Sequence, residues 1–87
     1  MAQLSRLFLD MEELSVFGRY SVRIDQTIVI EPKRQLTETT FRRIQETKPV
    51  IHHISIKDAE VKPFLEFKGP YRFKKVNGVL VFERVAS

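Results

Sequence analysis

His52 and His53 are the first residues to weigh for chemistry, because imidazole binds metals and exchanges protons near neutral pH. Adjacent residues of a strand point to opposite faces, so the pair cannot share one metal ion without a bulge. The chain has two histidines and no cysteine, so a zinc site would need carboxylates such as Asp58 or Glu60. We therefore expect no metal and no cofactor. His52 should be half-buried and His53 solvent-exposed. His53 and Ser55 share a strand face, but at ~7 Å they stand too far apart for a nucleophile and its base.

Asp58 and Glu66-Phe67-Lys68 place two carboxylates and a lysine in the order used by metal-dependent nucleases. There the carboxylates hold magnesium and the lysine steadies water or phosphate. Gly69-Pro70 follows where such a site would continue into a helix. The expectation is a non-enzymatic chain, with the nuclease as its enzymatic alternative. Gly18, Gly69 and Gly78 are scattered and form no phosphate-cradling loop.

Cations are more concentrated. Lys68-Gly69-Pro70-Tyr71-Arg72-Phe73-Lys74-Lys75 interleaves basic and aromatic residues. On a strand, Tyr71, Phe73 and Lys75 share one face, and Arg72 and Lys74 share the other. Such a ribbon could offer rings to bases and cations to phosphates. The competing reading makes Phe73 core and the charges a solvated face. Lys33-Arg34 and Arg42-Arg43 form a second basic cluster around a predicted helix. The nucleic-acid candidates are thus Lys33, Arg34, Arg42, Arg43, Lys68, Arg72, Lys74 and Lys75.

Composition bounds these readings. The chain has 87 residues, 43% hydrophobic and 30% charged, a globular rather than a disordered balance. A single domain spanning 1–87 is expected. A domain this small buries only about 60–65% of its unfolded surface, so dimerisation would help it. The net charge of +4 favours nucleic acid, an anionic surface or an acidic protein. No apolar run reaches ~18 residues, so no membrane insertion is expected. Acidic Asp10, Glu12 and Glu13 follow the N-terminus directly and do not fit a signal peptide. An intracellular, cytoplasmic location is the corresponding expectation.

Asn77-Gly78 is the clearest positional signal, because both residues tolerate the positive φ of a type I′ turn. It pairs Val76 with Val79, Lys75 with Leu80, Lys74 with Val81, Phe73 with Phe82 and Arg72 with Glu83. Leu4, Leu7, Phe8, Met11 and Leu14 recur at helical spacing. They predict an N-terminal helix over about 3–15, with alternation at Leu7, Leu9 and Met11 as the minority strand reading. Its apolar stripe is the candidate dimer interface. From Val16 to Ile30 most even positions are apolar, which predicts strands at about 17–24 and 27–31. Thr37 caps a second helix at about 38–47, with Phe41 and Ile44 inward. Strands follow at 50–57, with Val50, His52, Ile54 and Ile56 on one face, and at about 64–67, an edge position after Pro63. Gly69-Pro70 is read as a turn into the final hairpin.

The predicted fold is α+β: a mostly antiparallel twisted sheet of five to six strands with two helices on one face. The predicted function is that of a small basic accessory or regulatory protein that binds nucleic acid through its hairpin. A homo-oligomeric interaction module, using the N-terminal stripe or a sheet edge, is the alternative.

Overall fold

Period-two patterning dominates the chain, and strands form most of the computed structural model, which describes residues 2–85. In order these are β1 (Ala2–Leu9), β2 (Glu12–Leu14), β3 (Gly18–Val22), β4 (Ile28–Pro32), helix α1 (Glu38–Thr47), β5 (Ile51–Asp58), β6 (Leu65–Val76) and β7 (Val79–Arg84). The sheet runs β2-β1-β3-β4-β7-β6-β5, every pairing is antiparallel, and β1 also pairs with β5. That last pairing closes six strands into a barrel and leaves β2 as an extra strand. Closure gives those six strands a neighbour on both sides, although only part of β1 and β6 meets each partner. The predicted α+β twisted sheet with two helices is therefore wrong.

The N-terminal helix is the largest error, and a β-bulge explains it. Leu4 pairs with Asp58 and Arg6 with Lys57, so the register slips between them. An extra residue in one strand flips the alternation, so Leu4 and Leu7 both point into the barrel, followed by Leu9. Three-residue spacing across a bulge looks like one turn of helix. β1 then reverses at Asp10-Met11, with φ of 51° and 70°, and pairs with β2.

A second slip lies between β5 and β6, where the two-residue step from Ile51 to His53 faces the three-residue step from Tyr71 to Lys68, so the extra residue is in β6. On β5, Ile51, Ile54, Ile56 and Asp58 are buried and His52 is not. Asp10 holds β5 at this irregularity. One of its carboxylate oxygens accepts from the amides of His52 and His53, at 2.9 Å each, and its own amide donates to the His53 carbonyl at 2.9 Å.

Gly69-Pro70 lies within β6 rather than between two strands. The first part of β6 pairs with β5 and the second with β7, so the segment after Pro63 is not an edge. The Ile51 carbonyl oxygen occupies the space that a Cβ on residue 69 would need.

The final hairpin follows its predicted register at all five pairs. Asn77 and Gly78 have φ of 49° and 79°, as a type I′ turn requires. Strand β3 falls inside its predicted range and β4 runs one residue past its predicted end, to Pro32, although Val22 and Ile24 lie exposed around the loop between them. Helix α1 has its predicted bounds, and the Thr37 hydroxyl accepts from the Thr40 amide at 3.2 Å. The helix packs against the barrel through buried Phe41 and Ile44. The Phe41 ring lies parallel to Phe73 at 6.0 Å, and Phe73 meets Phe82 at 5.4 Å. Apolar side chains from all six barrel strands and the helix make one core. No helix among the described residues is long and apolar enough to cross a membrane.

Candidate nucleic-acid interface

The acids that neighbouring strands and the helix bring up decide which cations remain available. On the hairpin, Tyr71 and Phe73 are buried, so neither ring can receive a base. Lys74 is bound to Glu83 on the neighbouring strand. Lys75 donates to Glu38 at 2.7 Å and lies 4.4 Å from the centre of the Phe41 ring. That contact holds the Glu38 carboxyl below its ordinary range. Arg72 faces Glu83 across the ladder, and Lys68 faces His53. Around the helix, Arg43 and Lys48 both approach Glu12 of β2, at 3.7 and 3.2 Å. Arg42 is exposed beside Glu38.

Lys33, Arg34, Lys68, Arg42 and Arg72 are exposed, and among the described residues none of them makes an ion pair. Lys33 and Arg34 differ from the other three in lining a groove together. They line a groove of about 460 Å³ with Ser15, Val16, Phe17 and Leu36. Phe17 is 64% exposed there, while Val16 before it is buried. The Lys33 amide donates to the Phe17 carbonyl at 2.8 Å, so the loops 15–17 and 33–37 are joined. Arg19 extends the basic surface along β3 and faces Glu31 of β4.

Phe17 and Arg19 were absent from the sequence-based candidates. The signal was present: Phe17 is an aromatic residue in the polar phase of the 16–30 alternation, which carries Arg19, Ser21 and Arg23 outward.

The predicted interface stripe comes apart. Leu4 and Leu7 are inside the barrel, and Leu14 packs half-buried on the core. Only Phe8 and Met11 reach the outside. Phe8 meets Phe64 edge-on at 5.7 Å, and Met11 is 87% exposed. These three, with His53, Ser55 and Glu66, line a second, shallower groove.

The chemical constellations also change. The Ser55 hydroxyl is 3.5 Å from His53 Nδ1, much nearer than strand spacing predicts, and His53 Nε2 is 3.6 Å from Glu66. Both distances exceed the ~2.6–3.2 Å of a working nucleophile–base contact, and the His53 amide is already given to Asp10. His52 is exposed and His53 half-buried, the reverse of expectation.

Asp58 points into the barrel whereas Glu66 is exposed on the wall, so the nuclease residues do not converge. The Tyr20 hydroxyl donates to Asp58 at 2.6 Å, and the Glu60 amide donates to its other oxygen at 2.8 Å. These bonds hold the Asp58 carboxyl below the usual carboxylate range. Burial, reinforced by Asp58, pushes the Tyr20 hydroxyl up to about 12. This pair ties β3 to β5 inside the barrel and needs no ligand to explain it. No group of three potential metal ligands occurs among the described residues.

Comparison with protein-family models, curated proteins and solved structures found no match to this chain.

Proposed function

We propose that this protein is a small basic accessory protein that binds nucleic acid through the groove between loops 15–17 and 33–37, rather than through its C-terminal hairpin. The observation that carries this reading is the pair of unpaired, exposed cations, Lys33 and Arg34, lining one groove with exposed Phe17. A cation already paired with a carboxylate must lose that partner to meet a phosphate, so its net gain is small. A free cation releases counterions from the polyanion at no such cost. Arg19 adds a third positive charge nearby, against one carboxylate, Glu31. The overall charge of +4 supports the same reading.

The test is fluorescence anisotropy with labelled oligonucleotides at about 50 mM salt. Wild type should bind, and reversal of Lys33 and Arg34 to glutamate should remove most of the affinity. A double variant that binds as wild type would exclude the groove.

The alternative is a protein-interaction module, favoured by the exposed cluster of Met11, Phe8 and Phe64. It predicts no binding to oligonucleotides, and loss of partner association on Met11→Ser or Phe64→Ser.

A further inference from the structure

We propose that the groove takes single strands, with one base stacked on the Phe17 ring and the neighbouring phosphates held by Lys33 and Arg34. This inference rests on the nucleic-acid reading above and adds its substrate class. Isolated exposed apolar residues are ordinary in proteins. Phe17 differs because its backbone is fixed while its ring is free. Val16 is 3% exposed and anchors the loop from within. The Val16 amide donates to the Leu14 carbonyl at 2.9 Å, and the Phe17 carbonyl accepts from Lys33 at 2.8 Å. At Gly18 the Glu31 carbonyl oxygen sits where a Cβ would stand, so β3 and β4 approach closely right after the ring.

A ring on so constrained a backbone loses little freedom when a base settles on it. The bases of a duplex are already stacked on one another, so there the ring has no free π-face to meet. An unpaired base has one, whichever base it is. The choice of single strand over duplex therefore comes from Phe17, whereas Lys33 and Arg34 attract any phosphate chain.

The experiment compares the full chain, Phe17→Ala, Phe17→Trp and the Lys33→Glu/Arg34→Glu double variant. The probes are labelled oligothymidylate, oligouridylate, an abasic strand of equal length and a duplex. Wild type should bind the two base-bearing single strands roughly tenfold more tightly than the abasic strand, and also more tightly than the duplex. Phe17→Ala should erase that preference and leave abasic binding unchanged. Phe17→Trp should keep it, with tryptophan fluorescence quenched by oligothymidylate; the chain has no other tryptophan. Equal loss on all four probes, or an intact preference in Phe17→Ala, overturns the stacking inference. If the charge reversal removes binding while Phe17→Ala keeps the preference, the groove stands as a phosphate site and stacking is wrong. If wild type binds no strand at low salt, the nucleic-acid reading itself fails.

Discussion

Two basic clusters of this chain look alike in sequence and differ in the fold. The hairpin carries Arg72, Lys74 and Lys75, and the loop before α1 carries Lys33 and Arg34. On the hairpin, the antiparallel partner β7 places Glu83 beside Lys74, and α1 brings Glu38 to Lys75. The loop cations have no strand partner to supply a carboxylate. Their neighbours are Ser15, Val16, Phe17 and Leu36. A count of positive charges in a sequence therefore says less than the acids that the topology brings to them. The aromatic residues divide in the opposite sense. Tyr71 and Phe73, which lie among the hairpin cations, are consumed by the core, whereas Phe17 remains outside.

The comparison is broken most severely by removing the hairpin turn. Gly78→Val should destabilise the protein by roughly 1–3 kcal/mol, because valine is strained at positive φ. Urea midpoints measure this, and an unchanged midpoint would mean that the turn tolerates a β-branched residue. Next in size, Lys33→Glu with Arg34→Glu should weaken single-strand binding at least about tenfold, or ~1.4 kcal/mol. Far-ultraviolet circular dichroism should stay unchanged, since both side chains are exposed. Arg72→Glu with Lys74→Glu should cost at most about threefold in affinity, a residue of long-range charge rather than contact. An equal loss from both double variants would erase the distinction. The smallest effect sharpens it: Glu83→Gln frees Lys74 and should raise affinity by no more than about twofold.

The fold was legible wherever the governing chemistry is local. Asn77-Gly78 set its own turn and the register of five pairs, and Thr37 announced the start of α1. The β1–β2 hairpin uses the same signs of φ at Asp10 and Met11, yet nothing in those two residue types demands it. Asp10 is held there by amides of His52 and His53, more than forty residues away. The register slips in β1 and between β5 and β6 were hidden for the same reason. A bulge is decided by the partner strand, and from one strand its three-residue step between apolar positions reads as helix. Mistaking β1 for a helix removed the strand that closes the barrel.

The candidate site was half legible. Lys33 and Arg34 stood out as a basic pair, and the out-of-phase ring of Phe17 was visible but unused. Which cations were neutralised depended on Glu83 and Glu38, and that required the topology.

The most direct test of the central claim is the salt dependence of binding to a single strand of about fifteen nucleotides, followed by anisotropy from about 25 to 200 mM salt. Two or three phosphate contacts at Lys33, Arg34 and Arg19 predict a slope of about −1.4 to −2 in log K against log salt for single strands. Reversing Lys33 and Arg34 should flatten the slope towards zero. No binding at the lowest salt, or an unchanged slope in the double variant, would contradict the assignment of the groove.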